Sequence, residues 1–198
     1  MDLSQKIGEV IETSNSDFLA QCYELDGVPP LGSMVKTGGK GCQIYGIVCL
    51  SATHSIEQGR RITVRGKSAA SQAEVLSANP QLAKLLCSDF KALVVGHSGD
   101  EKLIRQYLPP SPVPIYAFVY GCTADEVKKF TQSLNFLSLM IESRLTPFPD
   151  EVIAAFLRHS SRTHDDPEEF LIRAGKELAW ALSNDIRRLD SILKRLGL

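Results

Sequence analysis

The spacing of apolar residues changes once along the chain, near residue 121, and this change constrains the fold more than any other feature. Up to about Tyr120 the apolar residues come in short runs bounded by Gly, Pro and Ser, which is typical of strands and turns. After Thr123 they recur every three or four residues, which is typical of helices. The sequence therefore predicts an α+β protein with a β part over residues 1–121 and a helical region over residues 122–198.

The β part is expected to be a barrel interrupted by helices. Strands are predicted at 6–13, 17–25, 32–36, 43–52, 92–97, 102–108 and 115–120. Many short strands closely spaced by turns favour a barrel or a sandwich over a parallel sheet. Between the two groups of strands, residues 68–88 carry apolar residues at helix-like spacing, and Pro80 is expected to split this insertion into two short helices.

Three helices are predicted after residue 122. Thr123 and Glu126 have the spacing of a capping box, and the apolar stripe that follows predicts one helix over 123–145. A short helix is expected over 150–158, and a last one from Asp166 to about Arg195. A helix of about 30 residues would reach roughly 45 Å. It is expected to pack antiparallel on the 123–145 helix, and a homo-oligomer formed through these C-terminal helices is the alternative.

Charge and hydropathy exclude several classes of partner. The 198 residues include 22 basic and 23 acidic ones, which gives a net charge of -1, so direct nucleic-acid binding is not expected. No run of about 18 uncharged apolar residues occurs, and the first residues lack the hydrophobic segment of a signal peptide. The sequence therefore predicts a cytoplasmic protein with no membrane partner.

Motif searches predict no catalytic, cofactor or metal site. Gly66-Lys67-Ser68 matches the end of a P-loop, but Arg61 stands where the first glycine is required. The four histidines lack the i, i+4 spacing of metal ligands on a helix, and the five cysteines form no C-x-x-C pair. The composition and these motifs leave open whether the protein is an enzyme, but the residues form no catalytic constellation, which favours a non-catalytic protein.

A few residues are candidates for an interaction site. The densest basic stretch of the β part holds Arg60, Arg61, Arg65 and Lys67, which either contact phosphates or an acidic partner or belong to a solvated loop. His97 ends a predicted strand, where it is either a site residue or, as we expect, a solvated histidine beside a turn. Strand alternation places Tyr116, Phe118 and Tyr120 on one face, which we expect to be core or a contact between elements.

Several segments resemble a known barrel. Residues 6–11 (KIGEVI), 30–35 (PLGSMV) and 45–48 (YGIV) resemble successive strands of the HAS-barrel. That barrel lies at the N-terminus of HerA-type DNA translocases and of ATP synthase catalytic subunits. Residues 74–82 running into 90–96 also resemble an uncharacterised cyanobacterial family that carries this barrel. The barrel resemblance covers about residues 4–120.

The resemblance implies a docking or assembly function. In those families the barrel helps to assemble a ring and docks partners, so it implies that this chain binds a protein such as a HerA-type ring ATPase or a nuclease of DNA processing. The chain departs from HerA-type proteins because it continues into helices that lack a P-loop, so it cannot power translocation by itself. The alternative is a small-ligand-binding protein or an enzyme with a site between barrel and helices, using His97, Arg105 and Tyr107.

Overall fold

The computed structural model describes residues 6–39, 41–57, 62–99 and 103–197. The strands in these ranges are β1 (Lys6–Thr13), β2 (Asp17–Cys22), β3 (Met34–Gly39), β4 (Cys42–Ser55), β5 (Leu86–Ser98), β6 (Ile104–Arg105) and β7 (Phe118–Gly121). The helices are α1 (Gln72–Ala78), α2 (Pro80–Ala83), α3 (Ala124–Phe130), α4 (Leu137–Glu142), α5 (Pro149–Ser161), α6 (Pro167–Ala181) and α7 (Ile186–Leu196).

Six strands close into an antiparallel barrel. Their order around the wall is β1, β2, β5, β4, β3 and β7, and β7 pairs with β1 to complete the circle. The short strand β6 pairs with the end of β5, where His97 lies opposite Arg105. The helices follow the barrel along the chain, so the predicted α+β fold with an N-terminal barrel is confirmed.

Strand β5 is buried on both of its faces and separates two apolar cores. Ala92 and Val94 point into the barrel interior, whereas Leu93 and Val95 belong to the core between the barrel wall and the helices. Two-sided burial produces a continuous apolar run instead of an alternating one. This explains why the sequence here reads Ala-Leu-Val-Val without a polar residue.

Helix α5 is the centre of the helical region. Its residues 152–157 are all buried, as expected for a helix that is covered on every side. Helices α3, α4, α6 and α7 pack against it, and it also contacts β4 of the barrel. None of the helices in the described ranges has the length and apolar character needed to cross a membrane.

The prediction of two long helices is wrong. Residues 123–145 form α3 and α4 with a break between them, and the last helix is divided into α6 and α7 by residues 182–185. The continuous 45 Å helix that suggested contact with another chain therefore does not exist. The capping box of Thr123 and Glu126 is confirmed.

The other strand and helix boundaries differ by a few residues. The insertion contains α1 and α2, which Pro80 separates as predicted, but it ends before residue 88 because β5 begins at Leu86. Strand β6 is shorter than the predicted 102–108. Between β5 and β6, residues 98–101 have a sequence typical of a hairpin turn, and they lie partly outside the described residues.

The aromatic face of the last strand is turned outward, against expectation. Phe118 is 43% exposed and Tyr116 is 73% exposed. Val119, which lies between Phe118 and Tyr120, is fully buried in the barrel interior. The predicted alternation holds for Phe118, Val119 and Tyr120, whereas Tyr116 precedes β7 in a turn with φ 65°. The face that holds Phe118 is directed away from the barrel interior. The aromatic rings are therefore part of the outer barrel surface.

Candidate functional site

A group of polar side chains lies on the outer wall of the barrel, where β4 and β5 extend as a long antiparallel pair. His54 of β4 is directly opposite Cys87 of β5, and Asp89 lies two residues further along β5 on the same face. Phe90, the next residue, points into the barrel interior. We call His54, Cys87 and Asp89 the polar cluster.

The atoms of the polar cluster are close and well oriented. Nε2 of His54 is 2.8 Å from Oδ2 of Asp89, and Nδ1 of His54 is 3.0 Å from the carbonyl oxygen of Ser55. The Cys87 sulfur lies 3.6 Å from Nδ1 and 3.8 Å from Nε2 of the same ring. The second carboxylate oxygen of Asp89 accepts a hydrogen bond from Nε2 of Gln21 at 3.2 Å.

These contacts determine the protonation of the polar cluster. Both ring nitrogens of His54 face oxygen acceptors, and the hydrogen bonds to the Ser55 carbonyl and to Asp89 raise the pKa of His54. Burial, together with the nearby Asp89 charge, raises the pKa of the Cys87 thiol. The imidazole is therefore stabilised as a cation and Cys87 as a neutral thiol, so the sulfur is not an activated nucleophile in this arrangement.

An aromatic patch lies beside the polar cluster, on β1, on β7 and on the residue that follows β2. It consists of Lys6, Glu9, Tyr23 and Phe118; Tyr23 is 48% exposed and Phe118 is 43% exposed. The Lys6 ammonium lies 3.7 Å from the centre of the Phe118 ring, and the Tyr23 hydroxyl donates to Glu9 at 2.7 Å. Desolvation and this hydrogen bond raise the pKa of Tyr23 to about 12, so its hydroxyl remains neutral.

The aromatic patch and the polar cluster are continuous. Gln21 is the cross-strand neighbour of Glu9 on β1 and of Asp89 on β5. One outer wall of the barrel therefore carries exposed rings at one side and a His-Cys-Asp group at the other.

The basic residues chosen from the sequence are only partly described. Arg65 and Lys67 are exposed, and the glycine between them lies against Val75 of α1, so this segment packs beside the insertion. Arg60 and Arg61 lie outside the described residues. The structure thus brings neither Arg65 nor Lys67 into the polar cluster or the aromatic patch.

His97 is not the solvated histidine that was expected. It is 6% exposed, and the Tyr107 ring packs edge-on against it at 5.2 Å between centroids. Its Nδ1 lies 3.2 Å from the Tyr107 carbonyl oxygen. The structure does place Arg105 and Tyr107 beside His97, but Tyr107 covers the imidazole, so His97 is not available as a surface interaction residue.

A shallow cleft occurs where the barrel meets the helices. It has a volume of about 350 Å³ and its lining includes Leu93 of β5, Leu139 of α4, Leu145 and Arg144. We call this the junction cleft. Its lining is mainly apolar, and neither His97 nor the polar cluster contributes to it.

Comparison with known proteins does not place the chain in a family. No known protein family matches it, and no curated protein matches it in sequence. The resemblance to HAS-barrels therefore stays a prediction from the sequence segments quoted above.

The polar cluster and the aromatic patch were missed at the sequence level for one reason. His54 and Cys87 are far apart in the chain, and Lys6 and Phe118 are still further apart, so only strand pairing brings them together. The alternation of β7 was visible in the sequence and is the one signal that pointed to a shared aromatic face.

Proposed function

We propose that this chain is a non-catalytic docking protein of the cytoplasm whose HAS-like barrel binds a protein partner, a ring ATPase or a nuclease of DNA processing. The observation that carries the proposal is the aromatic patch on the outer wall. The similarity of the strand sequences to HAS-barrels supports the class of partner.

The aromatic patch has the chemistry of a protein-binding surface. Tyrosine and phenylalanine rings are enriched in such surfaces, and a few of them commonly supply most of the binding energy. Phe118 is held on β7 opposite Glu9 of β1. Tyr23 directly follows β2, and its amide donates to the Ile7 carbonyl of β1 at 3.0 Å, so little conformational entropy would be lost when a partner covers the two rings. The Lys6 ammonium over the Phe118 ring adds a cation to the same surface.

The closed barrel restricts how the partner binds. Strands β1, β2 and β7 each pair with a neighbour on both sides, so no backbone edge in this wall accepts an added strand. The partner must therefore contact side chains. An apolar side chain packed between Tyr23 and Phe118, with a carboxylate near Lys6, would complement the patch in shape and charge.

Affinity purification from the native host under mild crosslinking tests the proposal. Wild type should recover a ring ATPase or a nuclease in stoichiometric amount, and the double variant Tyr23→Ser/Phe118→Ser should lose at least nine-tenths of it. Trp180→Ser is the matched control, because Trp180 is 85% exposed on α6 and lies outside the patch. The proposal fails if no such partner is recovered, or if the double variant retains it while remaining folded by circular dichroism.

The junction cleft favours a second candidate function, the binding of a small and mainly apolar ligand. Leu139 and Leu145 would contact its apolar part, and Arg144 and Glu142, which both line the cleft, would contact a polar group. Native mass spectrometry of the purified protein would detect an added mass that Leu139→Trp removes by filling the cleft. A protein that carries no added mass, and that no ligand of this class stabilises, would exclude this function.

A further inference from the structure

The polar cluster has a composition that neither docking nor the barrel fold requires. Histidine, cysteine and aspartate each offer one ligand atom here, and these atoms lie within 4.8 Å of one another. Among the residues that the structure describes, this is the only group of three such side chains. We propose that His54, Cys87 and Asp89 bind a Zn²⁺ ion through Nε2, Sγ and a carboxylate oxygen.

The distances suit a tetrahedral ion. With zinc bonds of about 2.3 Å to sulfur and about 2.05 Å to nitrogen, the two ligand atoms should be about 3.6 Å apart. The observed distance from Cys87 Sγ to His54 Nε2 is 3.8 Å. The Nε2 to Oδ2 distance of 2.8 Å must open to about 3.3 Å, and the half-exposed His54 side chain has room for this shift.

Neighbouring groups already hold the ligands as zinc sites require. A zinc-bound histidine usually donates its other ring nitrogen to a carbonyl or a carboxylate, and Nδ1 of His54 faces the Ser55 carbonyl at 3.0 Å. A ligating carboxylate is usually hydrogen-bonded through its second oxygen, and Gln21 donates to Oδ1 of Asp89. Nε2 and Oδ2 therefore face each other. Cys87 Sγ lies 3.6 Å from Nδ1 and 3.8 Å from Nε2, so zinc binding also requires the half-exposed His54 ring to turn Nε2 toward the sulfur.

The ligand atoms indicate which kind of ion binds, and their charges balance the charge of that ion. Thiolate and imidazole favour zinc over magnesium or calcium, which prefer oxygen ligands. Binding transfers the Cys87 thiol proton and the His54 Nε2 proton to solvent, with no change in oxidation state. The Cys87 thiolate and the Asp89 carboxylate then neutralise the two charges of the ion, and three protein ligands leave a fourth position for water or a group from a partner.

The test is a titration of the purified, reduced, full-length protein with Co²⁺, a spectroscopic substitute for Zn²⁺. Wild type should give a thiolate-to-cobalt charge-transfer band with visible bands typical of tetrahedral coordination, and Zn²⁺ should abolish both. Cys87→Ser should lose the charge-transfer band, and Asp89→Asn and His54→Gln should weaken binding at least tenfold. Cys42→Ser is the control, because Cys42 lies at the opposite end of β4, and it should behave as wild type.

Two results would overturn the proposal. One is a wild-type spectrum with only the weak bands of hydrated cobalt. The other is equal affinity in wild type and Cys87→Ser, which would leave His54 and Asp89 as an ion pair with a neighbouring thiol. Circular dichroism of each variant checks that the barrel remains folded, since the substituted side chains lie on the outer wall. The result is independent of whether the aromatic patch binds a protein.

Discussion

The Lys36 ammonium on β3 donates to the Glu126 carboxylate in the first turn of α3, and this ion pair ties the barrel wall to the first helix after it. The same carboxylate accepts from the Thr123 backbone amide at 2.9 Å, while the Thr123 hydroxyl accepts from the Glu126 amide at 3.3 Å. One side chain thus completes both the capping box and the connection to the barrel.

We predict that this connection weakens in acid. Burial by itself would raise the pKa of Glu126, but the hydrogen bonds from Lys36 and Thr123 outweigh it and hold the pKa of this carboxyl below its usual range. Because the folded-state pKa is lower than the unfolded one, the stabilisation is complete above the unfolded value of about 4.3 and is lost as the pH falls through the folded value. Glu126→Gln should lower the free energy of unfolding by about 1 kcal/mol at pH 7, and this difference should shrink below about pH 4.

Urea denaturation across pH measures this effect. Glu177→Gln, at an exposed position on α6, is the control and should change the stability little at any pH. A difference between wild type and Glu126→Gln that stays constant into acid would contradict the prediction.

A second prediction concerns two glycines with nearly the same backbone angle. Gly32 has φ +79° and Gly197 has φ +80°. A Cβ on Gly32 would lie 2.5 Å from the Phe156 nitrogen of α5, whereas a Cβ on Gly197 meets nothing within 4 Å. Gly197→Ala should therefore cost about 1 kcal/mol for the left-handed conformation alone. Gly32→Ala should cost about 3 kcal/mol or more, because the turn before β3 must also move away from α5.

Thermal unfolding of both glycine variants separates the cost of the left-handed conformation from the cost of the contact with α5. Equal losses in the two proteins would mean that the approach of the Gly32 turn to α5 is not rigid.

The third prediction tests how α7 is held. Arg188 donates through Nε to Asp150 of α5 at 2.7 Å and through a terminal nitrogen to the Ile141 carbonyl of α4 at 3.1 Å. Arg188→Ala should therefore destabilise the protein by about 1–2 kcal/mol. The neighbouring exposed Arg187 supplies the control, and Arg187→Ala should change the urea midpoint by less than a third as much. Similar losses for both arginines would refute a specific role for Arg188.

The fourth prediction concerns thiol reactivity. All five cysteines are free, and four are buried. Burial raises the pKa of Cys22 and of Cys49 to about 11, and it raises the pKa of Cys122 further. Cys42 is partly exposed, so it should be the first to react with a disulfide reagent at pH 8, and the buried thiols should react only on unfolding. The fast phase should disappear in Cys42→Ser, and its persistence would show that another thiol is accessible.

Local patterns were sufficient to predict the fold class but not where the helices break. The apolar residues keep their helical spacing through both breaks. The prediction of continuous helices followed this spacing and did not take account of the polar residues at the breaks. Before α7, Ser183 and Asn184 are poor helix formers, and Asp185 caps the new helix by accepting from the Arg188 amide at 3.1 Å. At the end of α3, the Thr131 hydroxyl bonds back to the Val127 carbonyl. Both stop signals are present in the sequence.

The candidate site could not be predicted from local sequence patterns, for a different reason. A search by spacing detects ligands on one element, whereas the polar cluster depends on the register that sets His54 against Cys87. For Phe118, alternation identified which residues share a face. The side that faces solvent is decided by how the sheet closes, and Val119 fills the interior instead.

The pairing of β1 with β7 also sets an order of events during synthesis. Lys6 is paired with Tyr120, so β1 is synthesised long before the strand that closes the wall on its other side. Before β7 is made, β2 is the partner available to β1. The amides and carbonyls on the β7 side of β1 are then unpaired, and an unpaired strand edge can bind another chain. The barrel wall therefore cannot close before residue 121 has been made, and α3 to α7 follow it along the chain.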